Sequence, residues 1–170
     1  MFLKRFFPMY YYINVESIPY QIFEKENIKA VIFDLDNTLV DSKYKYDEKV
    51  KKWINDMRQK NIKFCILSNT PRKNKVKKIA QDFDMPYILN ASKPRHKGFN
   101  QAIELLKAEK ENTVIIGDQV FTDIWGGNRF GIKTILVSPI AKKELIFTRI
   151  KRPLERYIIR KYNKNKKEGR

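Results

Sequence analysis

Cysteine and histidine are almost absent from this chain, which has one of each among its 170 residues, Cys65 and His96. A disulfide needs two cysteines and a zinc site needs several thiolate or imidazole ligands, so the composition excludes both and indicates a reducing compartment. Cys65 lies in an apolar run and is predicted to be a core residue, whereas His96 is predicted to be a solvated loop residue. Glycine is scarce too, and four of the six glycines fall where turns are expected, namely Gly117, Gly126, Gly127 and Gly131.

Acidic residues are few relative to basic ones, with 19 Asp and Glu against 36 Lys and Arg, for a net charge of +17. Residues 142–170 contain twelve basic and three acidic residues and so carry +9 of this charge. An excess of this kind favours an anionic partner, either a membrane surface or a nucleic acid. A solvated, partly disordered extension is the alternative for this end of the chain.

Long hydrophobic runs are also missing, since a helix that crosses a bilayer needs about 20 mainly apolar residues. The aromatic segment at the N-terminus is interrupted by Lys4, Arg5 and Pro8 and has no small-residue cleavage site. We expect residues 1–25 to form an aromatic-basic lead-in suited to the headgroup layer of an anionic membrane. Residues 142–160 are predicted to be an amphipathic surface segment that Pro153 starts or kinks, and 161–170 to be a flexible basic tail.

Short apolar runs alternate with charged segments of helical period. This alternation predicts an α/β fold, a three-layer sandwich around a mainly parallel sheet of about five strands. The length suits a single domain over 1–160. The predicted strands are 30–33, 64–67, 87–89, 113–116 and 134–137, and the predicted helices are 47–60, 72–83, 97–110 and 121–129.

Two carboxylates and a hydroxyl, Asp34, Asp36 and Thr38, follow the first apolar run directly. An unpaired carboxylate inside a buried strand would cost several kcal/mol, of the order typical for buried charge, so these residues are predicted to lie past the strand's carboxyl end, where α/β sheets bind ligands. A calcium loop of the EF-hand type is excluded, because Leu39 and Lys45 occupy its required glycine and glutamate positions. Two solvated acids that cap the next helix are the other alternative.

Three further segments complete a pattern. Ser68 ends the second apolar run, Lys93 lies in a basic loop, and Gly117, Asp118 and Asp123 follow the fourth run. With Asp34 and Asp36, their order and their spacing at positions 34, 68, 93 and 118 resemble the four motifs of the haloacid dehalogenase-like (HAD) phosphatases. That resemblance implies a Rossmann-like fold and hydrolysis of phosphate esters.

Within this superfamily, the chain resembles the small lidless branch, subclass IIIA, the YqeG-type proteins, which are related to phosphatidylglycerophosphatases. The likeness is carried by the lead-in and by the blocks 28–40 and 117–131, and it covers about residues 1–160. The gaps 34–68 and 68–93 each have room for one helix and one strand, so no cap domain is expected. An open site suits a large substrate, because lids serve to exclude water around small ones.

The residue types fit the steps of phosphate ester hydrolysis, which needs a nucleophile, an acid for the leaving oxygen and positive charge around the phosphoryl group. Asp34 is the candidate nucleophile, which forms an aspartyl-phosphate, and Asp36 is the candidate general acid and later base. Ser68, Asn69 and Lys93 are the candidate phosphate-binding residues.

Converging carboxylates with few nitrogen or sulfur ligands call for a hard cation, for which Mg²⁺ is the default. The resemblance assigns it to Asp34, to the backbone carbonyl of Asp36 and to Asp118. Thr38 and Asp123 are supporting residues, and Asp123 either supports the metal or orients the lysine. A helix N-terminal acid is the alternative for Asp123.

The sequence thus predicts a Mg²⁺-dependent phosphomonoester hydrolase in the cytoplasm, peripherally bound to the inner face of the membrane. Its predicted substrate is the phospholipid head group of phosphatidylglycerophosphate, and the product would be phosphatidylglycerol. One alternative is a HAD phosphatase for a nucleic-acid end, a phosphoprotein or a small phosphate ester. Another is a basic RNA- or lipid-binding module without catalysis. Oligomeric state stays open.

Overall fold

The computed structural model describes residues 2–140 and 146–168, with side chains at 3–140 and 153–166, and contains a six-stranded sheet. Every strand pair in the sheet is parallel, and the strand order is β1-β6-β5-β2-β3-β4. The predicted α/β fold with a parallel sheet is confirmed. The strands are β1 (Tyr10–Tyr12), β2 (Ala30–Phe33), β3 (Lys63–Leu67), β4 (Tyr87–Ile88), β5 (Thr113–Gly117) and β6 (Lys133–Val137).

Helices cover both faces of this sheet. They are α1 (Tyr20–Lys25), α2 (Glu48–Arg58), α3 (Lys73–Asp82), α4 (His96–Leu106), α5 (Trp125–Phe130) and α6 (Ile146–Glu168). Alternate residues of β2 point to opposite faces, so Val31 and Phe33 pack with α1, α2 and α3, whereas Ala30 and Ile32 pack with α4 and α5. All four residues of β2 are buried, as is typical of a central parallel strand covered on both sides.

The sixth strand, β1, was not predicted. Its three tyrosines are all half-buried, so their burial does not alternate as it does in a strand with one face in the core. Tyr10 and Tyr12 pair in register with Ile135 and Val137 of β6. The strand is therefore defined by this pairing rather than by its own sequence.

Two glycines expected in a turn lie inside α5 instead. A Cβ on Gly127 would lie 2.7 Å from side-chain atoms of both Ile115 and Thr134, and one on Gly126 would lie 3.0 Å from Phe99. Close packing of α5 against the sheet and α4, rather than chain reversal, explains these glycines. Gly131 does occupy a left-handed position, with φ of 88° at the end of α5.

The C-terminal helix α6 passes through Pro153 without interruption and continues to Glu168, although the sequence predicted a flexible tail from residue 161. Of the predicted amphipathic segment 142–160, residues 142–145 lie outside the described residues. Tyr162 explains the extension, because its ring is buried and packs edge-on against Phe7 with centroids 5.8 Å apart. Among the described residues, no helix is both long and apolar enough to cross a membrane.

Candidate active site

Three neighbouring strands bring the predicted site residues to one edge of the sheet. Asp34, Ser68 and Asp118 each come directly after the last residue of β2, β3 and β5, which lie side by side in the centre. From β2 the chain moves to β3 on one side and later returns to β5 on the other. Such a switch in strand order leaves a crevice at the carboxyl ends, where open α/β sheets bind ligands.

Three carboxylates converge in this crevice. Oxygen atoms of Asp34, Asp118 and Asp123 lie within 4.8 Å of one another, and all three residues are buried. The ammonium group of Lys93 lies 2.6 Å from Asp34 Oδ1 and 2.8 Å from Asp123 Oδ1. The site thus brings together carboxylate oxygens, which are the ligands that a divalent cation such as Mg²⁺ takes.

Burial governs the protonation of this cluster. Burial raises the pKa of Asp34 to about 7, even though the Lys93 ammonium acts in the opposite direction and the Asp123 charge adds to the increase. Burial also disfavours the charged form of Lys93, but the adjacent Asp123 and Asp34 carboxylates outweigh it and raise the pKa of that amine. Lys93 is therefore a fixed positive charge, whereas Asp34 gains or loses its proton near neutral pH.

The main chain of Lys93 is held by Asn69. The Asn69 side chain accepts a hydrogen bond from the Lys93 N–H (2.8 Å) and donates one to the Lys93 carbonyl (3.0 Å). This amide thus places the lysine, and phosphate binding at Asn69 stays a prediction. Ser68 is fully buried, and its Oγ accepts the N–H of Thr70 at 3.1 Å, so its own hydroxyl hydrogen can point to a phosphoryl oxygen.

Thr38 and Asp36 lie in the loop that follows Asp34. Thr38 is buried and its hydroxyl donates to Asp34 Oδ2 at 3.4 Å. Asp36 is half-exposed, and its charge is close enough to contribute to the raised pKa of Asp34. Its carboxylate lies outside the three-carboxylate group found among the described residues, where Asp123 is the third member. The predicted metal ligand at Asp36 is its backbone carbonyl, and this stays a prediction.

Asp123 reaches the crevice because residue 117 has no side chain. Asp123 lies in a π turn, Val120–Ile124, and its Oδ2 accepts the N–H of Gln119 at 3.1 Å. A Cβ on Gly117 would overlap that same Oδ2 atom. Gly117 was expected to serve a turn, but the structure shows that it makes room for the carboxylate. Asp123 contacts the lysine, and it also occupies the helix N-terminal place that was the alternative, because it lies in the first turn of this element.

One buried acid near the site was not predicted from the sequence. Glu155 of α6 is 3% exposed, and its Oε1 accepts the N–H of Val120 at 3.1 Å. Glu155 is 35 residues from Val120. The only signal in the sequence was an acid between Arg152 and Arg156 in a mainly basic segment, and this signal could not identify its partner.

A cavity of about 720 Å³ opens beside Thr38, between the loops that follow β1, β2 and β6. Its walls combine apolar side chains with four acids and one lysine, namely Glu16, Asp41, Asp47, Glu48 and Lys45. The opposite flank, after β3, is basic, with exposed Arg72, Lys73, Lys75, Lys77 and Lys78. An anionic group is thus attracted to one side of the crevice, and an uncharged or hydroxyl-bearing group fits the other.

Known proteins match this chain in both sequence and fold. A family model described as haloacid dehalogenase-like hydrolase matches residues 44–131. "Probable phosphatase YqeG" of Bacillus subtilis (strain 168) is 38% identical over 159 residues, which are 92% of this chain and 92% of that protein. "Pyrophosphatase PpaX" of Bacillus mycoides (strain KBAB4) is 30% identical over 99 residues, 54% of this chain and 46% of that protein.

Solved structures support the same fold at lower identity. An uncharacterized protein from Listeria monocytogenes serotype 4b aligns with a TM-score of 0.55 and 22% identity over 70% of this chain and 86% of that one. YfnB from Bacillus subtilis, solved bound to magnesium, aligns with a TM-score of 0.52 and 16% identity over 71% of this chain and 91% of that one.

Proposed function

The chain is a phosphatase of the haloacid dehalogenase-like hydrolase family, and we propose that it is a Mg²⁺-dependent phosphomonoesterase of the lidless subclass IIIA. We propose phosphatidylglycerophosphate at an anionic membrane surface as its substrate. The observation that carries the chemistry is the contact of Lys93 with Asp34 and Asp123 beside Asp118. This arrangement offers a nucleophile, a fixed cation and ligands for a divalent ion at one point of the sheet edge.

In the proposed mechanism, Asp34 attacks the phosphorus atom and forms an aspartyl-phosphate while the ester oxygen leaves. Asp36 donates a proton to that oxygen and then takes a proton from the water that hydrolyses the intermediate. Lys93 and the Ser68 hydroxyl stabilise the charge on the phosphoryl oxygens. Asp34 must be ionised to attack, which requires positive charge beside it because burial favours its protonated form.

Mg²⁺ fits the donor set of the site. Asp34 and Asp118 supply carboxylate oxygens, which this cation prefers, and the Asp36 carbonyl is the proposed third protein ligand. Asp123 contacts Lys93 through Oδ1 and accepts the N–H of Gln119 through Oδ2, and we propose that it orients the lysine. When bound, the ion neutralises the phosphoryl group and favours the ionised form of Asp34.

The lipid substrate is supported by charge and by the surface of α6. Its outer face, defined as the exposed residues between 154 and 164, combines apolar, aromatic and basic groups. Leu154 is 52% exposed and Tyr157 is 48% exposed, as suits the headgroup layer of an anionic bilayer. The basic members of this face are Arg156, Arg160, Lys161 and Lys164.

The structure offers no inserted lid between Asp34 and Lys93, where one helix and one strand fill each interval. An open crevice admits a head group that stays in the bilayer. The cavity beside Thr38, with four acids against Lys45, suits the glycerol end of such a lipid better than a nucleic-acid strand, whose phosphates the acids would repel.

The test is phosphate release from phosphatidylglycerophosphate in vesicles of anionic lipid, with Mg²⁺ or with a chelator. Soluble phosphate esters, a phosphopeptide and a 5′-phosphorylated oligonucleotide serve as competing substrates. We expect Mg²⁺-dependent release from the lipid at least about tenfold above the others, a difference of about 1.4 kcal/mol in the barrier. Release from the soluble substrates alone would reject the lipid and retain the chemistry. Salt-sensitive RNA binding with no Mg²⁺-dependent turnover would reject the enzyme.

Mg²⁺ affinity is expected to depend on pH through Asp34. Below its pKa of about 7 the metal must displace a proton, so the apparent affinity should rise about tenfold from pH 6 to pH 8 and level off above. Calorimetric titration of the metal-free protein at several pH values measures this. The Asp34→Asn variant has no titrating carboxyl group at this position, so its Mg²⁺ affinity should not show this rise with pH. An unchanged wild-type affinity across the range would show that Asp34 is not a ligand.

Gly117→Ala is expected to impair both stability and turnover. The new methyl group would overlap Asp123 Oδ2 and push that carboxylate away from Lys93, at a cost of about 1–3 kcal/mol for overpacking. Gly131→Ala is the control, because a Cβ there contacts nothing within 4 Å and only the backbone conformation is strained. Denaturant unfolding should show both variants destabilised, whereas kcat should fall only for Gly117→Ala. Equal kcat values in the two variants would contradict the interpretation.

A further inference from the structure

The loop that holds Asp118 and Asp123 is fixed from outside the sheet by α6. Two successive backbone N–H groups of this loop each donate to a carboxylate. Gln119 donates to Asp123 Oδ2 at 3.1 Å, within the loop itself, and Val120 donates to Glu155 Oε1 at 3.1 Å. The second bond connects the start of the π turn with a residue of α6 that lies 35 positions further along the chain.

Glu155 is an unusual residue for its position on the helix. It is 3% exposed, whereas Leu154 and Arg156 on either side are exposed. Burial of a carboxylate costs free energy that an alanine or leucine would avoid, unless the group is hydrogen-bonded. The N–H of Val120 is one group that a buried carboxylate at this place satisfies, and the bond gives the acid a use in the loop.

The contact continues to the proposed nucleophile through a short series of bonds. Val120 begins the turn that contains Asp123, Asp123 pairs with Lys93 at 2.8 Å, and Lys93 pairs with Asp34 at 2.6 Å. A shift of the turn by a few tenths of an ångström would therefore change the distances at the reacting groups.

Apolar packing holds α6 in place independently of this bond. Ile158, one turn after Glu155, is buried with Phe6, Val120, Ile124 and Leu136 in one cluster. Tyr162, a further turn on, is buried as well and packs against Phe7. Loss of the Glu155 carboxylate alone should thus leave the helix docked, so that the effect on the loop can be measured separately.

We propose that Glu155 is a positioning residue of this phosphatase, which fixes the loop of Asp118 and Asp123 through the N–H of Val120. The proposal rests on the proposed function for its effect on turnover, but its effect on the loop does not depend on that function. In this proposal Glu155 acts through the loop and not by direct contact with substrate or metal. Through this bond α6 supports the catalytic loop with its buried side, while its outer face stays exposed.

The experiment compares Glu155→Ala, Glu155→Gln and the control Glu104→Ala, an exposed acid on α4. Glutamine keeps an oxygen acceptor of the same shape, so it should preserve the bond to Val120 that alanine removes. The first readout is amide hydrogen exchange over residues 119–124 in the metal-free protein. Exchange there should be at least tenfold faster in Glu155→Ala and within about threefold of wild type in the other two variants.

The second readout is the response to Mg²⁺ and to a soluble ester, p-nitrophenyl phosphate. Glu155→Ala should bind Mg²⁺ 10–100-fold more weakly by calorimetry, the range typical when a residue that orients metal ligands is lost, and should lower kcat with little change in KM. A role in helix stability alone would lower the melting temperature without this change in Mg²⁺ affinity.

The outcomes separate this proposal from the proposed function. If the wild-type protein fails to hydrolyse phosphate esters, the proposed function fails, and the exchange measurement still decides the role of Glu155. Unchanged exchange over 119–124 in Glu155→Ala overturns the proposal, as does a Glu155→Gln variant whose loop exchanges as fast as that of the alanine variant. The proposal is supported if residues 119–124 exchange fast in Glu155→Ala and at close to the wild-type rate in Glu155→Gln.

Discussion

Replacement of Asp34 by asparagine is expected to lower kcat at least about 10⁴-fold while the protein stays folded. Asparagine has the same shape as aspartate but cannot attack phosphorus or hold a phosphoryl group as an acyl phosphate. Steady-state release of phosphate from a soluble ester in saturating Mg²⁺ measures the loss. The large effect follows because Asp34 forms and breaks the covalent bond in the proposed mechanism, and no other carboxylate occupies its place after β2.

Folding of this variant should change little, for a reason visible in the site. Burial raises the pKa of Asp34 to about 7, so near neutral pH the native side chain is already protonated part of the time. Lys93 keeps its contact with Asp123 at 2.8 Å when the Asp34 charge is lost. We expect a melting temperature within about 4 °C of wild type, equivalent to about 1 kcal/mol for a chain of this size.

The matched control for this experiment is Asp56→Asn on α2. Asp56 pairs with Lys52 at 2.7 Å, but both side chains are well exposed, at 49% and 77%. Turnover of the control should stay within about twofold of wild type. Turnover of Asp34→Asn above about one tenth of wild type would rule out Asp34 as the nucleophile, whichever substrate is used.

Lys93→Met is expected to destabilise the protein by about 3–5 kcal/mol, because it leaves buried carboxylates without their cation. The lysine side chain is 1% exposed and contacts Asp34 and Asp123, whose side chains are 8% and 0% exposed. For this chain length the loss corresponds to roughly 6–20 °C in melting temperature. Methionine retains most of the apolar volume, so the change reports mainly on charge.

Two further measurements make the Lys93 prediction specific. Mg²⁺ should restore part of the lost melting temperature, since a divalent ion can replace the ammonium charge among the carboxylates. Turnover should nevertheless stay reduced about 10³-fold or more, because the charge beside the phosphoryl group is gone. Lys52→Met, which removes an exposed pair, should cost less than about 1 kcal/mol. A Lys93→Met protein as stable as that control would show that the buried pairs contribute nothing.

The sequence predicted the central part of the fold well. Five of the six strands and the four helices between them could be located because short apolar runs alternate there with charged segments of helical period. β1 could not, since its three tyrosines carry no alternation and pair only with β6. The extent of α6 beyond residue 161 was missed for a related reason, because Tyr162 is the one buried aromatic within a run of Lys and Asn.

The sequence by itself determined which residues lie at the strand ends. A carboxylate such as Asp34 or Asp118 directly after an apolar strand is costly inside the core but suits a ligand site at the strand's carboxyl end. Only the tertiary structure decided how these residues are paired. In the folded chain the Asn69 side chain is hydrogen-bonded to the Lys93 backbone, and Asp123 reaches the lysine because Gly117 leaves space for it. Glu155 is hydrogen-bonded to the loop that holds Asp118 and Asp123. The physical reason is that strand ends follow from local periodicity, whereas hydrogen bonds between distant residues depend on distances that only packing sets.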